Sequence, residues 1–113
     1  VLRALKKQTY KISYEAPYFM AYTNIINKNN FKIIQDLKTE DLVVDLINSP
    51  ANPDGSIRFD ANFKSSIKIW DAVYATGTYS KIISKPKHDI YIGSAGKALG
   101  LPGLRIGWIA TNN

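Results

Sequence analysis

DLVVDLINSPANPDGSIR, residues 41–58, is the stretch whose reading decides the fold. Its first part, DLVVDLIN, is dense in β-branched and leucine residues and poor in charge, the pattern of a strand buried on both faces of a parallel sheet. Its second part sets Pro50, Pro53 and Gly55 among serine, asparagine and aspartate, which ends the strand in an irregular loop. Loops at strand ends are where open α/β sheets hold ligands. The fold class expected is α/β with a mostly parallel sheet.

The flanks extend that reading. Upstream, VLRALKK (1–7) has the apolar spacing of the last turns of a helix, and TYKISYE (9–15) alternates Tyr10, Ile12 and Tyr14 with Lys11, Ser13 and Glu15, which is strand periodicity. In APYFMAY (16–22), Pro17 suits a first helical turn, and the spacing predicts a helix over 18–26 that stops at the cluster Asn27–Asn30. FKIIQDL (31–37) reads as a short strand. Downstream, ANFKSS (61–66) is ambiguous between loop and truncated helix, SIKIWDAVY (66–74) is a strand, and residues 75–88 form a long polar loop. DIYIGS (89–94) and RIGWIATN (105–112) are two more strands, so the second half holds little helix. His88 is expected at the surface and Trp108 in the core.

Composition narrows the class. A chain of 113 residues supports one folding unit, and 45% hydrophobic with 21% charged residues is a globular balance. No apolar run approaches a membrane span and no signal-peptide core is visible in the N-terminal residues, so a soluble, cytoplasmic protein is expected. With no cysteine and one histidine, neither a disulfide frame nor a metal site is expected. The net charge of +6 comes from lysines scattered along the chain, the densest group being Lys81, Lys85 and Lys87, and no nucleic-acid-binding motif accompanies them. Phosphate-bearing small molecules remain open as anionic partners.

Three groups of residues carry possible chemistry. Asp71 and Tyr74 lie at the end of a strand, and a carboxylate among Trp70, Ala72 and Val73 is costly to bury without a cation or a donor. Asp71 could face a heterocyclic nitrogen, or simply cap the next segment. In GSAGKALGLPGLRIGW (93–108), Ser94 and Arg105 can bind a phosphate and Lys97 can form a Schiff base with an aldehyde, while the plain alternative is a tight turn with an exposed lysine. It is not a Walker-type loop, which needs glycine at Tyr91 and Ser or Thr at Ala98. Asn52, in NPDG, could reach a ring hydroxyl or merely sit in a proline-bearing turn.

Taken in order, Asn52, Asp71-x-x-Tyr74, Ser94-x-x-Lys97 and Arg105 resemble the cofactor-binding series of the fold-type-I pyridoxal-phosphate (PLP) enzymes, the class I and II aminotransferases and their relatives. The resemblance implies that Asn52 and Tyr74 bind the cofactor's ring hydroxyl, Asp71 pairs with its pyridinium nitrogen, Ser94 and Arg105 bind its phosphate, and Lys97 forms the Schiff base and moves the proton. It also places the ring-stacking aromatic of APYFMAY on Phe19, with Tyr18 as the rival. SPANPDGSIR, IWDAVY and a loop holding Tyr79 look like the alliinase and plant tryptophan-aminotransferase branch, whereas SAGK is closer to the kynurenine-aminotransferase type. By the same resemblance, residues 1–113 correspond to the central part of a PLP-binding large domain, with the N-terminal segment and the C-terminal small domain outside it. The activity implied is transamination between an amino acid and a 2-oxo acid by a homodimer. The alternatives are carbon–sulfur lyase chemistry of the alliinase type and a non-catalytic truncated descendant.

Overall fold

Strand β3, Leu42–Asn48, is buried at every position except Leu42. It lies inside a six-stranded sheet of order β2-β1-β3-β4-β5-β6. The other strands are β1 (Tyr10–Tyr14), β2 (Lys32–Ile33), β4 (Ile67–Asp71), β5 (Ile90–Ser94) and β6 (Gly107–Thr111). β1 to β5 pair in parallel and β6 runs antiparallel to β5. The α/β, mostly parallel architecture expected from the sequence is therefore the one observed. The computed structural model describes residues 10–34, 42–58, 67–75 and 88–111. The expected helix end at 1–7, the ambiguous 61–66 and Tyr79 lie outside the described residues.

Alternation of side chains across the pleat gives each face its own core. On one face Ile12, Val44, Leu46 and Ile69 meet Tyr22 and Ile26 of helix α1 (Ala21–Lys28). Tyr22 and Ile26 stand four residues apart, one helical turn, so a single stripe of α1 faces the sheet. On the other face Ile47, Trp70, Ala72 and Ala75 pack together, with Tyr91 beside them. Each isoleucine, leucine or valine so buried contributes about 1.5–3 kcal/mol.

Element ends differ from the sequence reading in ways that have local causes. α1 begins at Ala21 rather than near Tyr18, because Tyr18 turns back onto Tyr14, with ring centroids 4.3 Å apart. It stops where Asn30 takes a left-handed φ of 56° and Phe31 N–H reaches back to Ile26 O at 3.1 Å. β4 ends at Asp71, not Tyr74, because Asp71 Oδ1 accepts the Val73 N–H at 3.2 Å and turns the chain. Between β5 and β6 stand a short helical turn, α2 (Ala95–Ala98), and a 3-10 turn (Pro102–Leu104), both hidden in the sequence by glycines and a proline.

Two aromatic placements are corrected. Trp108, expected in the core, is 39% exposed on the edge strand β6. Its indole lies over Gly93, where an added Cβ would come within 2.4 Å of it, so the pair fits only because residue 93 has no side chain. His88 is half-buried rather than superficial, its ring 5.2 Å from that of Trp70.

Candidate functional site

Parallel strands deliver their C-terminal ends to one edge of the sheet, and the candidate residues gather there. Asn48 ends β3 opposite Asp71, which ends β4, and the two are register partners. The loop after β3 folds back on that edge: Asn52 N–H donates to Asn48 Oδ1 at 2.8 Å, and Gly55 N–H donates to Ala51 O at 2.8 Å. Gly55 has a φ of 74°, a conformation that costs a side-chain-bearing residue energy.

That loop puts Asn52 against Tyr74. The Asn52 Nδ2 group donates to the Tyr74 hydroxyl at 3.0 Å, across 22 positions of sequence. Tyr74 is held by the turn after β4, in which Ala75 N–H donates to Ala72 O at 2.9 Å. Over its ring stands Lys97 of α2, with Nζ 5.2 Å from the ring centroid. A cation there gains about 0.5–1 kcal/mol from the ring face at an exposed site. Residues from three separate stretches thus meet in one group, with an amine, a phenol and an amide within reach of a common ligand.

Asp71 and Phe19 form the adjoining group. Both line a cavity of about 680 Å³ between α1 and the sheet, with Tyr22, Ile69, Ile92 and Ile109 among its walls. Burial pushes the Asp71 carboxyl above the usual carboxylate range, against the opposing pull of the Tyr22 hydroxyl and the Val73 N–H, both of which donate to it. Phe19 is 43% exposed and edge-on to Tyr22, centroids 5.8 Å apart. Tyr18 does not share this position: it packs on Tyr14 and its hydroxyl accepts from Thr23 Oγ1 at 3.4 Å. Of the two aromatics, Phe19 is the one on the cavity.

Ser94 and Arg105 flank Lys97 by a different route. Ser94 closes β5 as the residue before α2 and makes no capping hydrogen bond to that turn. Ala95 N–H donates to Ile106 O at 3.0 Å, which folds the 3-10 turn back and sets Arg105 two residues beyond the Ser94–Gly107 pair. Arg105 is exposed, with a left-handed φ of 52°, uncommon outside glycine. Among the described residues, no hydrogen bond joins Arg105 to Ser94 or Lys97.

Two buried residues at the site went unassigned in the sequence. Arg58, 8% exposed, donates from Nη2 to Pro17 O at 2.6 Å, approaches Glu15 at 3.4 Å, and donates its backbone N–H to Ser49 Oγ at 3.0 Å. It ties the end of the Asn52 loop to the segment that carries Phe19. Tyr22 was visible only as one apolar position of an amphipathic helix. The clue was the unpartnered Asp71, since a buried carboxylate and a buried phenol each need what the other has.

Comparison with known proteins follows the same lines. The family model Alliinase_C, described as allinase, matches residues 3–112. The tryptophan aminotransferase-related protein 1 of Oryza sativa subsp. japonica is 35% identical over 100 residues, covering 82% of this chain and 22% of the relative. Alliin lyase of Allium cepa var. aggregatum is 27% identical over 107 residues, covering 87% of this chain and 24% of the relative. The chain thus spans about a quarter or less of the length of these relatives. Among solved structures, a PLP-bound protein of Clostridium difficile 630 classed as an aminotransferase superposes on the whole chain with a TM-score of 0.73 at 16% identity, the match covering 40% of that protein. At that identity the likeness is one of fold.

Proposed function

The chain belongs to the alliinase family, and on that premise we propose that it forms the cofactor-binding part of a PLP-dependent aminotransferase. The observation that carries the reading is the meeting of Asn52, Tyr74 and Lys97 beside Asp71, at the C-terminal ends of adjacent parallel strands. The donor set fits the cofactor: a carboxylate for a ring nitrogen, an amide and a phenol for a ring oxygen, an amine for an aldehyde, and a hydroxyl with a guanidinium for a phosphate. When bound, pyridoxal phosphate supplies the electron sink that allows an amino acid to lose its α-proton.

The chain's own residues do the rest. Asp71, buried and hydrogen-bonded, holds a proton at the ring nitrogen. Asn52 and Tyr74, already paired, would present N–H and O–H to the ring oxygen. Phe19 covers the ring face, and Ser94 with Arg105 holds the phosphate. Lys97 would provide the amine that holds the cofactor's aldehyde and, when free, the base that moves the substrate's α-proton. An amino acid and a 2-oxo acid as substrates, and a homodimer as the working form, belong to the same proposal.

A titration with pyridoxal phosphate tests it. A difference band in the visible, measured against the spectrum of free cofactor, should grow with saturation and be missing in Lys97→Ala. Silence at millimolar cofactor would count against the reading. The similarity to alliin lyase supports a second reaction on the same residues, carbon–sulfur elimination. Product analysis separates the two, because transamination yields a 2-oxo acid that keeps the substrate's side chain whereas elimination releases the sulfur fragment and ammonia.

A further inference from the structure

Asp71 is held from two directions. The Tyr22 hydroxyl donates to Oδ2 from α1, 49 positions away in sequence, and the Val73 N–H donates to Oδ1 at 3.2 Å from the turn that follows β4. A carboxylate has about four lone-pair sites, so two bonds of this kind fix its plane and still leave a lone pair on each oxygen. Tyr22 is itself immobilised: it is 8% exposed, its ring is edge-on to Phe19 at 5.8 Å and to Tyr14 at 6.4 Å, and it packs in the core with Ile26 and Val44. Its hydroxyl is thus delivered by the most firmly packed face of the helix, while Phe19, three residues earlier, lines the same cavity.

We propose that Tyr22 is the positioning residue for Asp71: its hydroxyl turns the carboxylate toward the cavity edge lined by Phe19 and holds it there, ready for the nitrogen of a pyridine ring. The inference rests on the PLP reading of the site. Tyr22 acts as a donor only. Burial, and then the Asp71 charge, push its hydroxyl far above the phenol range, so it gives up no proton at working pH. The other groups facing the pair are the Arg58 guanidinium, which works in the opposite direction on Tyr22, and the Val73 N–H.

Two readouts in the intact protein decide the matter. Without cofactor, carbon-13 NMR of the Asp71 carboxyl gives its titration directly. Tyr22→Phe, which removes only the hydroxyl, should raise the Asp71 pKa by about one unit, the size expected for losing one hydrogen bond to a charged acceptor. Replacing Tyr22 by 3-fluorotyrosine, a stronger donor of nearly the same shape, should lower it. Ile26→Val, which trims the same helix face without touching the hydroxyl, should leave it in place. With cofactor, Tyr22→Phe should weaken pyridoxal-phosphate binding about tenfold, and by under about twofold in an Asp71→Asn background, because a residue that acts through Asp71 has nothing left to act on.

An Asp71 titration unmoved by Tyr22→Phe and by 3-fluorotyrosine overturns the proposal. So does equal loss of affinity in both backgrounds, which would mean that Tyr22 only holds the helix. If the unsubstituted protein binds no pyridoxal phosphate, the cofactor reading and the purpose assigned to Tyr22 fail together. Unaltered binding in Tyr22→Phe beside a binding-competent parent defeats the Tyr22 assignment alone.

Discussion

Asp71 is the residue at which stability and the proposed function oppose each other. Its folded-state pKa lies above its ordinary value because burial disfavours the charged form. The sign follows by linkage: a raised carboxyl pKa favours the folded state below the unfolded pKa, and that contribution is lost as pH rises through the folded pKa. Without cofactor, Asp71→Asn should therefore melt at a higher temperature than the parent at pH 7, and the gap should close as pH falls toward 4 in paired calorimetric scans. A constant gap would mean that the carboxylate carries no such cost. Asn52 presents the opposite case, since its bond to Tyr74 is exposed. Asn52→Ala should cost under about 1 kcal/mol in urea unfolding while lowering pyridoxal-phosphate affinity severalfold by equilibrium dialysis. Asn52, Tyr74 and Lys97 could be picked out from their order in the chain. Tyr22 could not, because its role depends on a partner that only the parallel pairing of β3 and β4 and the passage of α1 bring near.

Among the elements, β3 and β4 carry the site and the core at once. Ile69 is fully buried between Leu46 on β3 and the underside of α1. Ile69→Ala should cost about 2–5 kcal/mol in chemical denaturation. Gly93→Ala tests the β5–β6 pair: its methyl would meet the Trp108 indole, and a loss of about 1–3 kcal/mol should be recovered largely in Gly93→Ala with Trp108→Ala. Strand identities were legible because alternation and β-branched runs survive in sequence, and DLVVDLIN is buried as its composition requires. The start of α1 was not, since Tyr18 and Phe19 fit a helical stripe equally well. Only the packing of Tyr18 on Tyr14 decides that the helix begins later. Trp108 misled for a related reason: a tryptophan in a strand implies burial, but β6 stands at the edge of the sheet and all five of its residues are exposed.

At the scale of the molecule, the parallel run from β1 to β5 is what turns scattered residues into a site. It brings the loop after β3, the turn after β4 and the helix after β5 to one edge, so residues 48, 52, 71, 74, 94 and 97 become neighbours. No helix among the described residues is long and apolar enough to cross a membrane. The proposed function makes one chemical demand, that Lys97 be the amine that meets the cofactor. Borohydride reduction of the protein equilibrated with pyridoxal phosphate, followed by peptide mass mapping, tests that demand most directly. The reduced adduct should lie on the peptide containing Lys97 and disappear in Lys97→Ala; an adduct spread evenly over the surface lysines, unchanged by that substitution, would contradict it.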